Sequence, residues 1–246
     1  MRKVLLITIT VLCVCASGYA YNDNDVARVK NGGDVIYGDL SGADLSGMNL
    51  SGRNFTGTTF AQARLVKVNF DKAKLSEASF HRAALHGSTF RNCNLQNAVL
   101  NGAKASNTDF TNSDLRNAKI FRANFHSGHF VNALFTGADV QESNFADANC
   151  DYTDFINANL NNANMRSASL NNAVFRNTNL YNIDFSEAKL TNADLRNSTG
   201  AQAKFIKADL TNAKLDGATL NNADFTDAKL QGTEFKNAFM KDAKIK

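Results

Sequence analysis

The chain of 246 residues contains no proline and no tryptophan, and it has four cysteines. Proline favours turns and interrupts regular elements, so its absence argues against linkers and irregular loops. Four cysteines do not imply a disulfide framework in a chain of this length. Hydrophobic residues make up 43% of the sequence and charged residues 20%, which is enough apolar material to bury a core.

Residues 1–20 differ from the rest of the chain. A basic start, MRK, is followed by the largely apolar run VLLITITVLCVC and then by ASGYA, with small residues at Gly18 and Ala20. This order is typical of a secretory signal peptide, and the apolar run is too short to span a bilayer comfortably. We therefore predict an exported protein, periplasmic or secreted. Cleavage after Ala20 and retention as an anchor both stay open.

Removal of residues 1–20 takes away two basic residues, Arg2 and Lys3, and leaves 25 basic and 23 acidic residues, a net charge of +2. This balance is neither a strong nucleic-acid signature nor a strongly acidic surface. We expect no direct nucleic-acid partner.

From residue 36 the sequence repeats every five residues. Positions 40, 45 and so on to 245 give 42 centres, of which eighteen are Leu and sixteen are Phe, and Ala stands two residues before 26 of them. A helix has a period of 3.6 and a strand a period of 2. Because strand side chains alternate, a centre and the residue two before it face inward together. The next two residues, often including Asn or Gly, turn the chain. Such units wind into a solenoid.

The charges between these inward positions predict how many sides close one coil. At a spacing of 15 residues, all five charged pairs in the last third of the chain are like in sign, which destabilises neighbouring strands. At a spacing of 20, all seven pairs are opposite in sign, which favours four sides and predicts that these charges engage one another. The pairs are Asp184–Lys204, Lys189–Asp209, Asp194–Lys214, Lys204–Asp224, Asp209–Lys229, Lys214–Glu234 and Asp224–Lys244.

The unit A-(D/N)-(L/F)-x-x, as in NADLR at 192–196 and NADFT at 222–226, resembles the pentapeptide repeat family over roughly residues 36–245. The resemblance implies an all-β solenoid, a right-handed quadrilateral parallel β-helix of about ten 20-residue coils. We therefore divide the chain into a signal peptide at 1–20, an N-terminal cap or disordered segment at 21–35, and the β-helix at 36–246.

Several positions depart from the pattern. Met48 and Arg53 stand where small residues are expected, and an arginine is not buried without a partner, so we expect distortion of the first coils. Ala105 and Gly200 stand where large residues are expected, and we predict a local bend or a loosened coil at Gly200. Phe residues 20 positions apart predict stacked ladders: Phe70, Phe90, Phe110 and Phe130 on one side, and Phe135, Phe155 and Phe175 on another.

No catalytic or phosphate-binding motif accompanies the repeat. Cys93 and Cys150 lie nearly three coils apart, too far for a disulfide, so we predict that both are free and buried. We expect no enzyme activity, no cofactor, no metal and no small-molecule substrate. His86 and His126 lie two coils apart, too far to share a metal ion, and His126 and His129 flank one corner, where we expect solvated surface residues. The fourth histidine is His81.

One edge of the predicted rod carries basic residues that could contact an acidic partner. The alternative is an ordinary solvated edge, because Thr136, Ile156 and Asp216 interrupt it. The basic residues are Arg116, Arg176, Arg196 and Lys236.

We predict an exported, non-enzymatic scaffold that binds an unidentified protein partner. Two alternatives stay open, the second of which is implied by the family resemblance. One is a secreted effector that binds host proteins. The other is a DNA mimic that protects DNA gyrase from quinolones, which the signal peptide and the mixed-sign surface oppose.

The last predicted coil holds Phe239, Met240 and Ile245. The resemblance implies association at this end, although family members usually dimerise there through an added helix. A homodimer through the C-terminal coil is therefore a hypothesis.

Overall fold

The structure, a computed structural model, describes residues 21–245. The predicted signal peptide at 1–20 lies outside these residues. One helix, α1 (Asp23–Lys30), precedes the repeat. No helix in the part of the chain that the structure describes has the length and apolar character needed to cross a bilayer.

The repeat forms a right-handed quadrilateral parallel β-helix, as the sequence predicts. Parallel bridges join residues 20 apart, from Asp39–Thr59 to Asp224–Lys244, without a shift of register. Each side of the coil contributes one bridging residue and no longer strand. Within a side, the backbone N–H groups of two neighbouring residues donate in opposite directions, one to the preceding coil and one to the following coil. The N–H of Thr219 donates to the carbonyl of Ser198 at 2.9 Å, whereas that of Leu220 donates to the carbonyl of Phe239 at 2.7 Å.

The corners impose a left-handed backbone conformation on the second turn residue. Its φ is +67° at Gly217 and +59° at Asn192, and these two residue types reach that conformation most readily. The same conformation is imposed on Lys207 at +57° and on Tyr152 at +59°. The stacking of the coils therefore overrides local preference where Asn or Gly is missing.

The interior is filled by the centre residues and the small residues two positions before them. Both predicted Phe ladders are confirmed. Ring centroids lie 4.9 Å apart for Phe70–Phe90, 4.6 Å for Phe90–Phe110, 5.2 Å for Phe110–Phe130, and 5.0 Å for both Phe135–Phe155 and Phe155–Phe175. Each such ring contributes roughly 1.5–3 kcal/mol through burial.

The bend predicted at Gly200 is absent from the described coils, so that prediction is wrong. The N–H of Gly200 donates to the carbonyl of Thr219 at 2.7 Å, and the bridges continue through this coil. Neighbouring side chains take up the space. A Cβ added to Gly200 would lie 3.1 Å from Cδ2 of Leu220 and 3.6 Å from Cβ of Ala203.

Helix α1 lies on the first coils. The side chain of Asn22 caps its start by accepting the N–H of Asn24 at 3.0 Å. Val26 and Val29 belong to the core cluster of the solenoid. The helix thereby covers part of the apolar end of the core.

Arg53 ties α1 to the repeat. Its Nη1 donates to the carbonyl of Val29 at 2.8 Å, at the carboxyl end of the helix, where carbonyl groups lack partners within the helix. Near the start of the helix, the carboxylate of Asp25 accepts the N–H of Asp39 at 3.0 Å. The first coils keep the regular bridge pattern, so the distortion predicted from Met48 and Arg53 is wrong. Arg53 is half-buried and hydrogen-bonded to the helix.

Ser198 offers a test of core packing. Its hydroxyl is buried and has no hydrogen-bond partner within residues 21–245. Ser198→Ala restores the commonest residue of this position and removes an unsatisfied polar group. We expect it to raise the free energy of unfolding by about 1 kcal/mol, measured by urea denaturation.

Ser143→Ala is the matched control for that variant. The Ser143 hydroxyl accepts the N–H of Ala123 at 3.0 Å and donates to the carbonyl of Ile120. Its loss leaves a buried N–H without a partner, so we expect destabilisation of roughly 1–3 kcal/mol. Equal effects of the two substitutions would contradict the interpretation.

Candidate functional surface

The outward charges occupy the predicted register, but most of the predicted pairs do not form close contacts. All seven pairs face each other across parallel bridges. Among residues 21–245, only two of them come within 4 Å: Lys229 with Asp209 at 3.3 Å and Lys244 with Asp224 at 3.4 Å. The prediction that these charges engage one another is therefore correct for two pairs and wrong as contacts for the other five.

Arginines at the corners compete for one of these carboxylates, Asp194. Arg196 donates to Asp194 through Nε at 2.8 Å and through Nη2 at 2.6 Å. Arg176, one coil earlier, lies 3.6 Å from Asp194. Asp194 is thus engaged by the corner, although its bridge partner is Lys214. A planar guanidinium binds a carboxylate with two parallel bonds, which a lysine does not do.

The structure places the four basic residues named from the sequence on one edge of the rod. Arg116 makes the same two-bond contact with Asp114, at 2.9 and 2.6 Å. Lys236 contributes its backbone N–H to Asp216 at 2.8 Å. Arg116, Arg176 and Arg196 thus present their guanidinium groups already paired with carboxylates of the same protein.

These contacts shift the carboxylate pKa values. Burial alone would raise the pKa of Asp194, but the hydrogen bonds from Arg196 and the charges of Arg196 and Arg176 outweigh it and hold the pKa below its ordinary value. The pKa of Asp114 is lowered in the same way, against burial, by Arg116 and Gln96. Hydrogen bonds to the charged form are the common cause.

The cysteines are free and buried, as predicted. Cys93 donates through Sγ to the carbonyl of Phe70 at 2.9 Å, and burial raises the pKa of its thiol to about 12. Burial also raises the pKa of Cys150. Thiols of this kind are protonated at neutral pH and are poor nucleophiles and ligands.

The histidines lie on the surface. His126 Nδ1 lies 3.5 Å from Asp147 Oδ2. Within residues 21–245, no group of three or more His, Cys, Asp or Glu side chains is placed to hold a metal ion.

One surface feature escaped sequence reasoning. A shallow hollow of about 610 Å³ is lined by three small residues, by Gln62 and by three cations, Arg64, Arg82 and Lys104. The signal in the sequence is Ala84, an alanine at an outward position where charged or Asn residues stand in the neighbouring coils. The repeat pattern is defined by its inward positions, so it gives no expectation for an outward residue such as Ala84.

A four-sided coil with a filled interior and paired outward charges defines a quadrilateral β-helix of the pentapeptide-repeat class. The family model described as a pentapeptide repeat region matches residues 53–130 and 123–205, and that of eight copies of pentapeptide repeats matches 203–242. The chain belongs to the pentapeptide repeat family. No curated protein matches it.

Two solved structures share the fold. HetL, a pentapeptide repeat protein of the cyanobacterium Nostoc involved in regulation of heterocyst differentiation, is 24% identical with a TM-score of 0.78, over 93% of this chain and 100% of HetL. QnrB1, a plasmid-mediated fluoroquinolone resistance protein, is 16% identical with a TM-score of 0.54, over 80% of this chain and 93% of QnrB1.

Asp194 gives a prediction of pH dependence. Because its pKa is lower in the folded than in the unfolded chain, its stabilising contribution is full above the ordinary aspartate pKa and is lost as the pH falls through the folded pKa. We expect Asp194→Asn to lower the free energy of unfolding by roughly 0.5–1 kcal/mol at neutral pH, with the difference from the native chain shrinking below about pH 4. Urea denaturation across the pH range measures this.

Asp184→Asn is the control for that prediction. Asp184 accepts the N–H of Ser186 at 2.9 Å and has no cation within 4 Å among residues 21–245. We expect a smaller loss at neutral pH. A deficit of Asp194→Asn that is as large at pH 3 as at neutral pH would contradict the assigned role of the ion pairs.

Proposed function

We propose that this protein is an exported, non-enzymatic scaffold that binds a protein partner along its rod. The observation that carries the proposal is the unbroken 20-residue register from Asp39 to Lys244. About ten coils at ~4.8 Å each make a straight body on the order of 50 Å long. Repeat proteins of this kind use extended surfaces, because each coil fixes the position of the next.

Export is supported by the composition of residues 1–20 alone. A periplasmic or secreted location would place the rod where a periplasmic protein, or a host protein in the case of a secreted effector, is the available partner. The partner is therefore to be sought in periplasmic extract and in host extract.

The DNA-mimic alternative has less support. QnrB1 shares the fold at 16% identity. A DNA mimic needs an acidic surface, whereas residues 61–130 of this chain contain ten basic and four acidic residues. The predicted export also separates the protein from gyrase.

The edge that carries Arg116, Arg176, Arg196 and Lys236 is the proposed contact surface. Its Arg–Asp pairs hold the guanidinium groups in fixed orientations, which lowers the entropy lost on binding. Each pair also offers one cation and one carboxylate at a known spacing. An acidic partner with matching donors would contact both.

The experiment is affinity capture with the purified protein on periplasmic, culture and host extracts, followed by measurement of Kd for the purified partner. We expect Arg116, Arg176, Arg196 and Lys236, all changed to Gln, to weaken that complex. The control changes four outward or corner lysines elsewhere to Gln: Lys72, Lys74, Lys119 and Lys189. If the edge variant and the control variant bind the partner with equal affinity, this edge is not the contact surface. Capture of nothing beyond what an unrelated β-helix retains would remove the scaffold function itself.

A second copy of the chain is the proposed occupant of the C-terminal end. Phe239 and Ile245 are 66% and 56% exposed there, while Phe235 and Met240 are partly buried against the core. A two-fold contact would continue the apolar core from one copy into the other.

We expect the protein to sediment as a dimer, and Phe239→Asp combined with Ile245→Asp to shift it to monomer. Both side chains are largely exposed, so the double variant should fold. Tyr152→Asp, at a residue 59% exposed in the middle of the rod, is the control and should leave the dimer intact. Sedimentation of the native chain as a monomer at its highest soluble concentration would rule out the homodimer.

A further inference from the structure

One side of the rod carries a cluster of cations that its own carboxylates do not neutralise. Outward residues on this side, which we call the Ala84 side, stack through bridges such as Arg64–Ala84 and Ala84–Lys104. In chain order they are Asp44, Arg64, Ala84, Lys104, Asn124, Asn144, Asn164, Asp184, Lys204, Asp224 and Lys244. Ala84 is the single apolar member of this ladder.

The small side chain of Ala84 creates the hollow. Arg64 and Lys104 lie one coil on either side, so their backbones are about 10 Å apart with only a methyl group between them. Arg82 stands at the adjoining corner. Gly102 leaves room for the Arg82 side chain, because a Cβ there would lie 3.2 Å from Cγ of Arg82. The resulting hollow of about 610 Å³ is lined by Gln62, Ala63, Arg64, Arg82, Ala84, Gly102 and Lys104.

The cations around the hollow are short of partners. In the segments 61–67, 81–87 and 101–107, which form three successive coils of this side and its corners, there are four Lys or Arg residues and no Asp or Glu. Among residues 21–245, Arg82 and Lys104 have no carboxylate within 4 Å. Arg64 lies 3.5 Å from Asp44, with both side chains more than half exposed, so water screens that pair.

The contrast with the rest of the rod makes this cluster specific. One coil further along, Arg122 is paired with Glu142 at 2.6 Å. On the Arg116 edge, the guanidinium groups of Arg116 and Arg196 are each held by a carboxylate two residues earlier. The hollow is therefore a place where adjacent coils contribute positive charge and where only Arg64 has a carboxylate within 4 Å among residues 21–245.

We propose that this hollow binds a compact ligand with clustered phosphate or sulfate groups. The side chains of Arg64 and Lys104 are long enough to converge over Ala84 on one tetrahedral oxyanion, and Arg82 reaches it from the corner. Arginine forks suit phosphate and sulfate oxygens, and the Gln62 amide adds a neutral donor. The volume exceeds that of a single oxyanion, and Lys67 lies at the opposite corner of the same side, so a ligand with two or more anionic groups fits best. This inference does not depend on the scaffold function.

Isothermal titration of the purified protein tests it with three probes: inorganic phosphate, inorganic tripolyphosphate and a fully sulfated disaccharide. We expect both polyanions to bind and inorganic phosphate to bind much more weakly. Arg82→Gln with Lys104→Gln should weaken polyanion binding roughly tenfold or more. Lys189→Gln with Lys229→Gln, which removes two outward cations on another side, should change it little. Preference for tripolyphosphate or for the sulfated sugar then identifies the source of the oxyanion.

Ala84→Glu separates binding from folding. The new carboxylate would lie between Arg64 and Lys104, so we expect an unchanged or higher melting temperature together with loss of polyanion binding. No binding of either polyanion to the native protein would overturn the proposal. So would equal binding by the native chain, Ala84→Glu and Arg82→Gln/Lys104→Gln. A single-stranded oligonucleotide bound equally by native protein and by Ala84→Glu, and more tightly than the compact probes, would show diffuse charge attraction and would also overturn it.

Discussion

The structure depends on the hydrogen-bonded register between coils. Between the two end coils, every side bonds to the coil before it and to the coil after it through adjacent residues, as Thr219 and Leu220 do. A single inserted residue would exchange inward and outward positions for the rest of the side, because side chains alternate along an extended segment. This constraint explains why the unit length stays at five, why the corners force residues such as Lys207 into a left-handed conformation, and why Gly200 does not bend the rod.

Most of this fold was predictable from the sequence, because the register determines two independent sequence patterns. The inward positions fix the period of five, and the charge signs at 20-residue spacing fix the number of sides. The side-chain contacts were less predictable. Asp194 and Lys214 are bridge partners with opposite charges, yet Asp194 bonds to Arg196. The first corner residue, here Arg196, stands two positions after the outward residue Asp194. Its guanidinium therefore reaches the Asp194 carboxylate more readily than Lys214 does from the next coil.

A residue that departs from the repeat can act outside the coil in which it stands. Arg53 stands at an inward position, which predicted strain within the first coils. Its partner is the carbonyl of Val29, in a helix outside the repeat. Periodicity describes how coils contact one another, whereas it contains no information on what covers the end of the stack. The side chain that breaks the pattern is the one that anchors α1.

The register between coils also limits where a functional site can lie in a rod of this kind. Inward positions are committed to packing, so only outward and corner positions are free to differ. Most outward charges have counter-charges one coil or two residues away, so a partner that contacts them meets an ion pair and not a free charge. The cations around Ala84 differ because the segments 61–67, 81–87 and 101–107 contain no Asp or Glu, and no carboxylate lies within 4 Å of Arg82 or Lys104 in the described chain. Binding an anion there costs no existing ion pair of those two residues, which makes local charge imbalance a better guide to a site than charge alone.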